Sequence, residues 1–219
     1  MSVRSNNPGM LVRGLYGITP DLADTALLLD KTEQVLAGGA QLIQYRNKTA
    51  NTGLRFQQAS ALLQLCKTYA VPLIVNDHME LAAEINADGV HLGKHDTNIA
   101  IVRKHLGPGK IIGASCYDCI TLASEAIANG ADYVAFGAFF STSTKHDTVT
   151  APIDILHRAK AVLNVPVVGI GGINLVNVPT LIKNGADAVA VCHSLYQADD
   201  ICQTAVKFSH YFNSIRYII

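Results

Sequence analysis

The feature that most limits how this chain can fold is a short fragment that returns four times: Gly38-Gly39-Ala40-Gln41, Asn86-Ala87-Asp88-Gly89, Asn129-Gly130-Ala131-Asp132 and Asn184-Gly185-Ala186-Asp187. Each copy follows a helical pattern and precedes a β-branched run, and its Gly or Asn supplies the left-handed residue that ends a helix. Eight such runs are present: Leu15 to Thr19, Gln41 to Arg46, Pro72 to Asp77, Gly89 to Gly93, Ile111 to Cys116, Tyr133 to Phe140, Val167 to Gly172 and Ala188 to Leu195. Between them lie helical patterns such as Leu54 to Tyr69, where Phe56, Ala59, Leu62, Leu63 and Cys66 recur at three and four residues. This alternation predicts an α/β protein with a parallel sheet and crossover helices. A fragment before every even-numbered strand makes the unit βαβα, and four units predict a closed (β/α)8 TIM barrel. The rival, an open doubly wound sheet, ordinarily carries a glycine-rich turn after its first strand. Here that turn reads Thr19-Pro20-Asp21. No Pro- or Ser-rich linker divides the chain, so residues 1–219 are read as a single domain, with 1–13 an irregular lead-in.

Lys plus Arg and Asp plus Glu number 17 each, so no global field favours nucleic acid or a membrane surface. Any anionic ligand must be held by a local cluster. Apolar runs such as Ala26 to Leu29 fall far short of the roughly 20 residues a membrane helix needs, and the N-terminus lacks a hydrophobic signal core. A cytoplasmic protein is expected. Five irregularly spaced cysteines are read as reduced thiols. Cys116-x-x-Cys119 has no second pair to complete a zinc site, and it is read as incidental.

In a barrel the active site lies at the C-terminal strand ends, so polar residues there should converge. Strand 2 ends Gln44-Tyr45-Arg46-Asn47-Lys48, strand 3 Asn76-Asp77, strand 4 runs His91-Leu92-Gly93 toward Asp96, and strand 5 reaches Ser115. Thr142-Ser143-Thr144-Lys145 follow strand 6, Gly171-Gly172 close strand 7, and His193-Ser194 lie near the end of strand 8. Arg46, Lys48 and Lys145 beside the Thr142 and Thr144 hydroxyls suit a diphosphate, a solvated rim being the alternative. Asp77 and Asp96 are expected to share one Mg²⁺, which takes one or two protein oxygens and completes its shell with water and phosphate. The alternative for Asp96 is a helix cap. Gly169-Ile170-Gly171-Gly172 predicts a second, backbone-built phosphate site with strand 8.

Taken together these ordered motifs resemble the thiamin phosphate synthase family from about Tyr16 to Gln197. Gln44 to Lys48 resembles its Q-[FY]-R-x-K, Asn76-Asp77 its N-D, and Asp88 to Gly93 with Asp96 its D-G-[VI]-H-[LI]-G-Q-x-D. Ser115 fits G-x-S, Thr142 to Lys145 fit T-x-T-K, and Gly169 to Ile173 fit G-I-G-G-I. The resemblance implies a transferase that joins hydroxymethylpyrimidine diphosphate to hydroxyethylthiazole phosphate, releasing pyrophosphate. It implies that Asp77 and Asp96 bind magnesium and that Gln44, Arg46, Lys48, Asn76, Ser115 and Lys145 hold the pyrimidine diphosphate. Arg46, Lys48, Lys145 and Ser115 would be the catalytic set, while Thr142, Thr144 and Gly172 would hold the thiazole phosphate.

Four positions depart from the family pattern: His78 stands for a second Asp, Lys94 for Gln, Ser141 for Pro, and His193 for a phosphate-binding Ser. His193 either donates to phosphate or packs in the core, with Ser194 adjacent. His91 either orients the pyrimidine or fills the barrel mouth. A thiazole tautomerase of the same fold is a rival, but Tyr117 stands where that branch carries its catalytic histidine. A non-catalytic phosphate-binding regulator is another. A different phosphate-handling barrel enzyme, such as an isomerase, would need a strand-end acid and base across the substrate, and no strand-end Glu is present to serve as that base. The expected partners are small molecules; oligomeric state, a homo-oligomer included, stays open.

Overall fold

The computed structural model describes residues 12–94, 96–141 and 150–215. The expected lead-in falls almost wholly outside them, as do Thr142, Thr144 and Lys145. Eight parallel strands close into a barrel in sequence order: β1 (Gly14–Ile18), β2 (Leu42–Tyr45), β3 (Leu73–Asn76), β4 (Gly89–Leu92), β5 (Ile111–Tyr117), β6 (Tyr133–Phe136), β7 (Val167–Ile170) and β8 (Ala188–Val191). Closure is made by β1 on β8, with Gly14 opposite Ala188 and Gly17 opposite Val191. The helices that matter below are α1 (Thr25–Ala37), α2 (Thr52–Thr68), α3 (Met79–Glu84), α4 (Ile99–Leu106), α5 (Ile120–Ala128), α6 (Asp154–Val162), α7 (Val178–Lys183), the short α8 (His193–Tyr196) and α9 (Ile201–Ile215). Among the described residues no helix is long and apolar enough to cross a membrane.

The repeated fragment has a double structural role. Gly39, Asn86, Gly130 and Gly185 all adopt positive φ, between 56° and 103°, turning the chain from helix to strand. The Asp that closes or follows the turn then reaches back to the start of the preceding strand. Asp88 accepts the Leu73 N–H at 2.9 Å, Asp132 the Ile112 N–H at 2.7 Å and Asp187 the Val167 N–H at 2.7 Å. Arg103 pairs with Asp132 and Lys160 with Asp187. This carboxylate ring belongs to the N-terminal face of the barrel, the face that serves stability.

Two strand ends differ from the periodicity. β6 stops at Phe136 because Gly137 lies against β7, where a Cβ would stand 2.1 Å from the Ile170 carbonyl oxygen. β8 stops at Val191 and the chain turns into α8. On α2 the buried stripe is Gln58, Ala59, Leu62, Leu63 and Cys66, whereas Phe56 is exposed. Gln58 tolerates full burial because it is satisfied: its Oε1 accepts from Tyr45 and Asn47, and its Nε2 donates to the Leu22 carbonyl.

Candidate active site

A cavity of about 370 Å³ opens at the C-terminal strand ends. Period-two alternation decides which side chains face it. In β2, Ile43 and Tyr45 point to the helices, so Gln44 points inward and lines the cavity with Arg46 just beyond the strand. Asn76, His91 and Ser115 join them from β3, β4 and β5. Beneath them runs a buried chain of hydrogen bonds. Gln44 Nε2 donates to the Tyr16 hydroxyl at 2.8 Å, Tyr16 and Tyr133 hydroxyls pair at 2.9 Å, and His91 bridges Tyr133 and Ser115 at 2.9 Å on each ring nitrogen. His91 is therefore a buried structural link whose Nε2 reaches a cavity residue. Burial pushes both phenols well above their ordinary range, so they stay neutral donors.

At the β2–β4 rim the charged residues meet in pairs. Arg46 Nη1 contacts both oxygens of Asp21 at 3.1 and 3.2 Å, and Lys48 pairs with Asp77. Asp77 has φ of +62°, a left-handed turn that Asp tolerates better than bulkier residues, and it lies within hydrogen-bonding reach of Asp96. Burial alone would push the Asp77 carboxyl up, but Lys48 and the bond shared with Asp96 outweigh it and hold the group low. Asp96 moves the other way: burial and the neighbouring Asp77 charge raise it against the opposing Gly93 N–H, which it accepts at 2.6 Å. The cap of α4 is Asn98, whose side chain accepts the Ala100 N–H, so Asp96 is not a cap. His78 adds no third carboxylate; burial, with Arg55 nearby, lowers it.

The β7–β8 rim is built differently. Gly171 and Gly172 have φ of +99° and +63°, and a Cβ on Gly172 would stand 2.4 Å from the Ser141 carbonyl oxygen. His193 is exposed at the cavity wall, not packed in the core. Ser194 donates its hydroxyl proton to the Ile173 carbonyl, which ties α8 to the β7 loop. Cys192 also lines the cavity, its thiol pushed up to about 11 by burial. Cys116 is buried and pushed up to about 12 by burial and the neighbouring Cys119, unlike the low-pKa thiol of a redox motif.

Three residues here escape sequence reasoning. Tyr16 and Tyr133 read as strand hydrophobics, and only the closed barrel brings β1 against the inside of β6. Asp21 sits in a turn notable from sequence only for lacking glycines.

A closed parallel barrel with a polar-floored cavity at its C-terminal face, a charged rim at β2–β4 and a glycine rim at β7–β8 places the chain in the class of (β/α)8 barrel enzymes. Within that class the chain belongs to the thiamine monophosphate synthase family, whose model matches residues 15–195. It is 53% identical over 205 residues to a thiamine-phosphate synthase of Nitrosospira multiformis, covering 94% of this chain and 88% of the relative. A thiamine-phosphate synthase of Nitrosomonas eutropha is 52% identical, covering 92% and 95%. The solved thiamine phosphate pyrophosphorylase of Pyrococcus furiosus superposes with a TM-score of 0.82 at 31% identity, covering 97% of this chain and 99% of that one.

Proposed function

We propose that the chain is a transferase that joins hydroxymethylpyrimidine diphosphate to hydroxyethylthiazole phosphate, forming thiamin phosphate and pyrophosphate. The observation that carries this reading is the pairing of a charged rim with a glycine rim around one cavity of about 370 Å³. Gln44 and Ser115, held by the buried Tyr16–Tyr133–His91 chain, orient the pyrimidine ring. Arg46, Lys48 and Lys145 hold the diphosphate; Gly172, Thr142 and Thr144, with backbone N–H groups at His193 and Ser194, hold the thiazole phosphate.

Asp77 and Asp96 would hold Mg²⁺. The donor set fits: two neighbouring carboxylates whose mutual repulsion a cation relieves, supplying the one or two protein oxygens that Mg²⁺ takes. When bound, the ion supplies Lewis-acid neutralisation of the diphosphate. The methylene C–O bond breaks as Arg46, Lys48 and Lys145 stabilise charge on the departing pyrophosphate, and the thiazole nitrogen lone pair then forms the C–N bond. Apolar walls at Ile18, Ile170 and Ile173 keep water from the intermediate cation. No protein nucleophile is needed, and the high-pKa Cys192 thiol would be a poor one.

The test is incubation with both substrates and Mg²⁺, following both products. Equal formation of thiamin phosphate and pyrophosphate is expected, lost in EDTA and reduced about a hundredfold or more by Asp96→Asn. Ligand-induced rise of the melting temperature without either product would leave a binding protein and overturn the reading.

A further inference from the structure

The loop that joins β1 to α1 makes contact with each residue of the 46–48 turn. Fully buried Thr19 accepts the Arg46 N–H and donates to the Arg46 carbonyl, both at 2.9 Å. The Leu22 carbonyl accepts from Asn47 Nδ2 at 2.8 Å. Asp21 accepts the Lys48 N–H at 2.7 Å while holding Arg46 Nη1. Asp21 does not line the cavity, so whatever it does for a ligand it does through Arg46 and Lys48. Arg46 gives Asp21 one corner of its guanidinium; among the described residues Nε and Nη2 meet no acceptor, and the side chain lines the cavity.

We propose that Asp21 is a positioning residue for the diphosphate half of the site, which rests on the function proposed above. The β1–α1 loop is the template that holds the Arg46–Lys48 turn in its anion-binding form before ligand arrives. An arginine anchored at one nitrogen has lost its rotamer freedom in advance, so a diphosphate meets a preformed two-nitrogen fork. The alternative, Asp21 as an internal anion competing with ligand for Arg46, predicts the opposite sign when it is removed.

The experiment compares wild type, Asp21→Asn, Asp21→Ala, Arg46→Ala and the Asp21→Ala/Arg46→Ala double variant. It measures kcat and KM for each substrate, and pyrophosphate binding with Mg²⁺ by calorimetry. Asp21→Ala is expected to weaken pyrophosphate binding and raise the diphosphate KM by roughly tenfold to a hundredfold. The thiazole phosphate KM stays within about twofold. Asp21→Asn falls between, because its carbonyl still accepts the Lys48 N–H. In the double variant the further loss from Asp21→Ala is smaller than its loss in wild type, what remains being its hold on the Lys48 N–H. Unchanged or tighter pyrophosphate binding would overturn the proposal, and so would full additivity or equal losses at both substrates, which mark a merely structural residue. An inactive wild type would sink the proposed reaction instead, while the pyrophosphate titration would still report on Asp21.

Discussion

At the β2–β4 rim Arg46 and Lys48 each rest on a carboxylate, Asp21 and Asp77, whereas across the cavity Gly171 and Gly172 offer backbone and no Lys or Arg lines the described wall. The first rim is made of charges that compensate one another before any ligand arrives. It therefore responds to pH, salt and divalent cation. The second is set by close packing of the β6 and β7 loops, where a Cβ has no room, and a steric constraint does not titrate. On the proposed reaction, charge at one rim would serve a leaving group that gains charge, and shape at the other a phosphate that only needs to be held.

The sharpest way to break the contrast is Gly172→Ala. With φ of +63° and a carbonyl 2.4 Å from the new Cβ, it should cost about 1–3 kcal/mol of stability. It should lower kcat/KM for the thiazole phosphate about a hundredfold, equally at every pH and ionic strength tested. Arg46→Lys comes next: an ammonium cannot keep one nitrogen on Asp21 and present two more, so pyrophosphate affinity should fall about tenfold. Calorimetry at rising salt should show that affinity fading while thiazole phosphate affinity holds better.

A smaller effect comes from the carboxylate pair. The raised Asp96 pKa means the fold holds that proton more tightly than the unfolded chain, so ligand-free stability falls as pH rises through it. The depressed Asp77 acts oppositely, its contribution being lost as pH falls through its own lowered value. In EDTA above both values, Asp96→Asn should melt a few degrees higher than wild type while losing activity. Mg²⁺ affinity of the wild type should rise with pH through the Asp96 titration. Smallest is Tyr133→Phe, which leaves Tyr16 and His91 each one partner short. It should cost about 1 kcal/mol by denaturant melting and raise only the pyrimidine diphosphate KM.

Much of this is legible in the sequence, because alternation and turn chemistry are local. The four fragments mark their left-handed residues without error, and all eight β-branched runs contain strand. Gln44, Arg46, Asn76, Ser115, Gly172, His193 and Ser194 do reach one cavity, since strand-end position alone specifies which mouth they share. Lys48, Asp77 and Asp96 gather with one another beyond the ends of β2, β3 and β4, and none of them lines that cavity. Phe56 misled because helical spacing cannot say which of two neighbouring faces meets the sheet, and buried Gln58 shows that satisfied hydrogen bonds, not hydrophobicity, settled it.

By itself the sequence determined the barrel and which strand ends share its mouth, because these follow from short-range pattern and strand order. Only the tertiary structure decided the pairings: Arg46 with Asp21 across 25 positions, His91 with Tyr133 across 42, and Tyr16 with Tyr133 across 117. Closing the barrel brings such groups within hydrogen-bonding distance, and at that range burial and charge set which carboxyl keeps its proton, a property of the pair and not of either residue.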